Sequence, residues 1–223
     1  YFATQTEGAA GGIMITGSHN PPDQNGFKMV LGKSSFYGEA IQELGKIAAA
    51  GAYASAPRGQ VIERRPFDAY VDRLLAGLAD GRSSQRPLTV AWDSGNGAAG
   101  EVMAALTKQL PGRHILINEK IDGRFPSHHP DPTVPENLHQ LIETVRANKC
   151  DLGIALDGDG DRIGAVDGMG RIVWADQMMI LFAREGLLSQ PRATIIADVK
   201  SSQALFDEIE RAGGRPPMGK TGH

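Results

Sequence analysis

The chain has 223 residues, 41% of them hydrophobic and 22% charged, and a formal net charge of −3 at pH 7. That balance is ordinary for a folded globular protein of one large domain or two smaller ones, and it argues against a nucleic-acid surface, which would carry a basic excess. One cysteine, Cys150, excludes an internal disulfide and fits a reducing, cytoplasmic setting, and no apolar run approaches the ~18 residues of a membrane span. Along the chain, strands are expected at 12–16, 27–31, 88–92, 114–118, 152–156 and 194–197. Between them apolar residues recur with helical spacing. Phe67, Tyr70, Val71, Leu74, Leu75 and Leu78 share one face after Pro66. Leu138, Leu141, Ile142 and Val145 form a second stripe, and further helices are expected over 176–188 and 202–211. Alternation of this kind predicts an α/β fold, with mixed, mostly parallel sheets sandwiched by helices.

Two breaks, at 54–60 and 81–87, flank the first of these helices, which would serve as an arm between domains. The sequence VDGMGRIV predicts a tight hairpin around Asp167-Gly168. Domains are therefore placed at 1–62, 63–170 and 171–223. Three segments, IMITGSHN, VAWDSGNG and IALDGDGD, each run a strand into a polar, glycine-bearing loop. Ligands gather at such strand ends in open α/β sheets.

Two nucleotide-binding patterns are present and both fail on their chemistry. In GGRPPMGKTGH, Gly214 and Gly219-Lys220-Thr221 satisfy the phosphate-loop spacing. But Pro216 and Pro217 have no N–H to offer phosphate, and a helical stripe rather than a strand precedes Gly214. GNGAAG, with Gly95, Gly97 and Gly100, has the outline of a dinucleotide fingerprint. Asp93 then stands where a pyrophosphate would approach, so a structural tight turn is the expectation.

ALDGDGDR is more specific. Asp157, Asp159 and Asp161 alternate with glycines after an apolar strand. Three like charges so close repel, and a hard divalent cation removes that cost while the glycines let the loop curl around it. Three carboxylates with open positions for a phosphoryl oxygen and water suit Mg²⁺. A calcium EF-hand would need Gly where Arg162 stands and Glu where Gly168 stands. Arg162 is better suited to hold a phosphate beside the metal. Upstream, GIMITGSHNPPDQNGFK presents Ser18 just past a strand, in a loop stiffened by Pro21-Pro22. Thr16 and Asn20 occupy the places where a hydrolase nucleophile elbow needs glycine, so phosphoryl transfer to or from Ser18 is the expectation. His19 is expected to hold loop shape, and His128 and His129, beside Pro130, to pack or hydrogen-bond rather than bind metal.

TGSHNPPDQNGFK, DGDGDR and KTGH, in this order, resemble the α-D-phosphohexomutases, most closely the bacterial phosphomannomutase/phosphoglucomutase branch. GRFPSHHPDPTVPENL and DVKSS resemble that family's connecting sequence. The resemblance implies a four-domain enzyme with a central cleft, of which this chain, beginning at Tyr1 and stopping in a loop, would be a fragment with little or no activity alone. It implies reversible interconversion of hexose 1- and 6-phosphates through phosphoserine and a hexose 1,6-bisphosphate. Ser18 would carry the phosphoryl group and complete a Mg²⁺ site with Asp157, Asp159 and Asp161. Lys28 would act as acid/base or neutralise charge, and Arg162 would face the reacting phosphate. His19, Asn20, Lys200, Thr221, Gly222 and His223 would contact substrate. Phosphoglucosamine mutase and a non-catalytic sugar-phosphate-binding domain remain alternatives. Partners are expected to be small hexose phosphates, with no nucleic acid and no membrane, and the oligomeric state is not read.

Overall fold

The computed structural model describes residues 1–78 and 86–221. It begins with a one-turn helix, α1 (Phe2–Thr6), followed by β1 (Gly11–Thr16), β2 (Gly26–Leu31) and β3 (Ser34–Phe36), which form an antiparallel sheet in the order β1-β2-β3. A helix, α2 (Glu39–Ala50), closes this part. The β1–β2 register pairs Met14 with Lys28 and Thr16 with Gly26, so Thr16 and Lys28 point to one face of the sheet. The opposite face carries Ile13, Ile15, Phe27 and Leu31, all more than 60% exposed.

Next come α3 (Phe67–Ala76), β4 (Leu88–Asp93), α4 (Gly100–Thr107), β5 (Gly112–Ile117), α5 (His139–Asn148), β6 (Leu152–Leu156), β7 (Ile163–Asp167) and β8 (Ile172–Val173). Strands β4 to β8 form one sheet in the order β5-β4-β6-β7-β8. Its core sets Leu138, Leu141 and Val145 against Ala91, Ala155 and Val166, as the expected stripe requires. The arm helix α3 buries Val71, packs on α4 and touches α1 through Tyr70 and Phe2, whose rings lie 5.3 Å apart.

The α/β layering matches expectation, but parallel pairing is confined to β5, β4 and β6, with one short pair elsewhere. Parallel neighbours need a crossover of about a dozen residues or more. Residues 17–25 and 157–162 are too short for that, so β1–β2 and β6–β7 must be antiparallel. The two chemistry-bearing loops are therefore hairpin loops. Strand β8 lies beyond the break expected at 170 and joins the same sheet through Ala165↔Val173.

The last part holds α6 (Ala175–Ser189), β9 (Ala197–Asp198), α7 (Gln203–Arg211) and β10 (Met218–Gly219). Leu187, Leu205, Phe206 and Ile209 make its core, and buried Glu208 is held by Arg184 at 2.6 Å and by Arg211. The strand expected at 194–197 shrinks to β9. Ile195, Ala197 and Val199 donate N–H bonds to Arg215, Pro217 and Gly219. Pro216 and Pro217, with no N–H, leave the pairing sparse. The glycines of the phosphate-loop lookalike do other work: Gly213 takes φ +83°, and Gly214 N–H bonds Ile209 O at 2.8 Å, ending α7.

Gly100 shows why GNGAAG must be glycine-rich. A Cβ there would sit 1.9 Å from the Glu119 carbonyl oxygen. Gly100→Ala should therefore destabilise the chain by about 1–3 kcal/mol, read as a lower urea midpoint at unchanged slope.

Candidate functional site

The serine loop starts where β1 ends. Thr16 Oγ1 accepts the Ser18 N–H at 2.9 Å, Asn20 N–H bonds Gly17 O at 2.7 Å, and Gln24 N–H bonds Pro21 O at 3.0 Å. These turns hold Ser18 at φ +49°, a left-handed conformation uncommon outside glycine. Its hydroxyl then meets the opposite loop: Oγ lies 2.9 Å from Asp157 Oδ2, 3.3 Å from Asp159 Oδ1 and 3.2 Å from His19 Nδ1.

The acidic loop is organised around Asp157, which is fully buried. Its Oδ1 accepts the N–H groups of Asp161 and Arg162 at 2.9 and 3.1 Å, which fixes the loop and leaves Oδ2 facing Ser18. Gly160 turns the chain at φ +74°. Ligand oxygens of Asp157, Asp159 and Asp161 lie within 4.8 Å of one another. All are hard carboxylate donors converging beside a hydroxyl, a set that fits Mg²⁺ and leaves positions open.

Lys28, from the shared face of β2, bonds Asp159 Oδ2 at 2.7 Å and also bonds Asp161. Burial works against its charge, but the bonds to both carboxylates outweigh that and raise its pKa. Burial likewise opposes ionisation of Asp159, whereas hydrogen bonds from Lys28, Thr16 and Ser18 hold its carboxyl below the usual range. Lys28 and Asp159 are thus kept charged by one another.

Ser18, His19, Asn20, Lys28, Asp161 and Arg162 line one cleft of about 580 Å³. Lys200 and Thr221 are elsewhere, gathered at Asp198, whose Oδ1 accepts the Lys200 N–H at 2.7 Å and the Thr221 hydroxyl at 3.0 Å. Gly222 and His223 lie outside the described residues. Three contributors were not read from the sequence. Thr16 donates to Asp159 Oδ2 at 2.7 Å, Asp198 organises Lys200 and Thr221, and the GNGAAG turn supports the acidic loop, with Ala98 N–H bonding Gly158 O at 2.8 Å. The strand period already put Thr16 on the Lys28 face once pairing was known. The other two depend on contacts distant in sequence.

A hydroxyl on a left-handed hairpin loop is thus set against a cradle of three carboxylates on a second hairpin. The family model described as "Phosphoglucomutase/phosphomannomutase, alpha/beta/alpha domain I" matches residues 1–54, and that for domain II matches 68–170. The chain belongs to the phosphoglucomutase/phosphomannomutase family. All of it aligns with a phosphoglucomutase of Neisseria gonorrhoeae at 42% identity, covering 48% of that protein. It also aligns with a phosphomannomutase/phosphoglucomutase of Pseudomonas aeruginosa at 41% identity, covering 47%. A crystal structure of a phosphoglucomutase/phosphomannomutase family protein from Burkholderia thailandensis superposes with a TM-score of 0.89 at 42% identity, over 96% of this chain and 45% of that one. The chain thus spans about half the length of the relatives it matches.

Lys28 occupies the carboxylates that a cation would use. Lys28→Met should tighten Mg²⁺ binding roughly 10-fold at low ionic strength, with the gain shrinking as salt is added. Isothermal titration of both proteins with MgCl₂ measures this, and weaker binding by the variant would contradict it.

Proposed function

We propose that this chain carries the phosphoserine and metal loops of a phosphohexomutase that interconverts hexose 1-phosphates and 6-phosphates. The observation that carries the proposal is the Ser18 hydroxyl, 2.9 Å from Asp157 Oδ2 and in the same cleft as Arg162. Names of the relatives support glucose and mannose as the hexoses.

In this scheme Asp157, Asp159 and Asp161 would hold Mg²⁺, with an oxygen of phosphorylated Ser18 completing its shell. When bound, the ion neutralises phosphoryl oxygens and orients them for in-line displacement. Phospho-Ser18 would pass its phosphoryl group to the free 1- or 6-hydroxyl of the sugar: the P–Oγ bond breaks, a P–O bond to the sugar forms, and the hydroxyl proton ends on the departing Ser18 Oγ. The resulting hexose 1,6-bisphosphate reorients in the cleft and returns its other phosphoryl group to Ser18. Arg162, whose charge also acts on Asp131, has a guanidinium that would fork two phosphate oxygens. Of the two roles open to Lys28, its ion pairs favour charge neutralisation, since a lysine with a raised pKa is a poor base at neutral pH. His19 and Asn20 would contact the substrate from the serine loop. Lys200, Thr221, Gly222 and His223 would contact it from the third segment.

We also place the protein in the cytoplasm, a setting supported by its free, buried Cys150. No described helix is long and apolar enough to cross a membrane.

Two measurements test the scheme. Intact mass spectrometry should find one phosphate on Ser18, removed by glucose 6-phosphate and never present in Ser18→Ala. A phosphate that sugar phosphates do not discharge would end the mutase reading. The residues lining the cleft come from the first 162 positions. The 223-residue polypeptide should accordingly bind Mg²⁺, lose more than ~100-fold in affinity on Asp159→Asn, and turn over mannose 1-phosphate very slowly. Fast conversion by this polypeptide would contradict the last point.

A further inference from the structure

The segment between β5 and α5 contains no metal ligand, yet it touches both sides of the acidic loop. Pro130 is buried against two glycines: a Cβ on Gly95 would lie 3.0 Å from Pro130 Cβ, and one on Gly158 3.4 Å from Pro130 Cγ. Two residues on, Pro132 lies against Gly164 of β7, where an added Cβ would approach to 2.9 Å. The segment therefore runs as a brace beneath residues 157–164, from the turn that supports them to the strand that leaves them.

One end of the brace is tied by a side-chain pair. His128 Nε2 lies 2.9 Å from Oδ2 of Asp93, whose side chain is fully buried at the end of β4. His128 Nδ1 lies 2.9 Å from the carbonyl oxygen of His129. Asp93 Oδ1 is already taken by the Gly95 N–H at 2.8 Å and by Asn118 Nδ2 at 3.0 Å. Asn118 spends its other amide hydrogen on Gln140, so it has none left for the His128 ring 3.4 Å away. Both imidazole nitrogens thus face acceptors, and both must carry hydrogen. This geometry fits a doubly protonated, cationic ring.

We propose that His128 is a positioning residue: clamped as an imidazolium by buried Asp93, it holds residues 128–132 as a brace that fixes the acidic loop for metal. This rests on the metal reading of Asp157, Asp159 and Asp161. The hydrogen bond from Asp93 raises the His128 pKa against the effect of burial, with help from the His129 carbonyl. The sign follows: the clamp is at full strength below the ordinary histidine value near 6.5, and it is lost as pH climbs through the raised native value. The groups facing His128 are Asp93 from β4, Asn118 after β5, His129 on its own segment, and Glu136, His139 and Gln140 around the adjoining hollow.

The test compares the wild-type chain with His128→Gln and Asp93→Asn between pH 6.5 and 9. Long-range ¹H–¹⁵N spectra should show both His128 nitrogens protonated at pH 7.5 in the wild type and a titration returning toward 6.5 in Asp93→Asn. Mg²⁺ affinity, measured calorimetrically, should fall about 10-fold in either variant, the usual scale for losing a residue that orients ligands. In the wild type it should decline across the range, and in His128→Gln that decline should flatten. Amide exchange of Ala98 and Arg162, measured without metal and at matched pH, should speed up about 10-fold in both variants. This readout separates a failed brace from a failed metal site. If His128→Gln does not fold, the wild-type spectra and Asp93→Asn still decide. A neutral His128 at pH 7.5 would overturn the proposal. So would variants that melt earlier yet keep wild-type Mg²⁺ affinity, pH profile and amide protection.

Discussion

Three aspartates within five residues of one loop are a standing electrostatic problem, and much of the molecule is arranged around it. Each like-charged pair at contact distance costs up to about 4 kcal/mol at the effective dielectric of a protein surface. Asp157 is buried outright, which adds desolvation to repulsion. Backbone N–H groups of the loop's own far end satisfy one of its oxygens. The ammonium of Lys28 satisfies Asp159 and Asp161 from a different sheet. Neutralisation thus joins elements far apart in sequence, since the lysine arrives on a hairpin more than 100 residues earlier in the chain.

Hairpin geometry explains how the two sides meet. Short connections force β1–β2 and β6–β7 to fold back antiparallel, so each chemistry-bearing loop projects from its sheet as a tip. The tips then face each other across the boundary between two α/β units, with the arm helix α3 packed against α4 on one side and touching α1 on the other. Parallel pairing is kept for β5, β4 and β6, where long helical connections allow it.

Much of this was legible in the sequence. The strand 152–156 was placed residue for residue, the α5 stripe buries the side chains expected of it, and the acidic and serine loops announced their chemistry through residue type and spacing. Of the α3 stripe, by contrast, only Val71 is buried, and Tyr70, Leu74 and Leu78 stay exposed. Local pattern stopped informing where partners are distant. Nothing in Gly95, Ala98 or His128 by itself says that they support residues 157–162, because the contacts join positions some 30 to 60 residues apart. The balance of parallel and antiparallel pairing was missed for a related reason, since alternating apolar residues look the same in either direction. Strand 194–197 was overestimated because its neighbour, which returns the Arg215 N–H to Ala193 O, has no N–H to give at Pro216 and Pro217. Lys200 and Thr221 do form one cluster, but it is built on Asp198 and stands apart from the cleft.

The serine and acidic loops touch through bare backbone: a side chain on Gly158 would lie 2.0 Å from the Ser18 carbonyl oxygen. No flexible group lies at that point to absorb a shift between the two α/β units. A hinge displacement of even half an ångström would pass undamped into the gap between hydroxyl and carboxylates. The seam between the units therefore works as a gauge, in which rigid-body alignment sets how far the Ser18 backbone stands from the acidic loop.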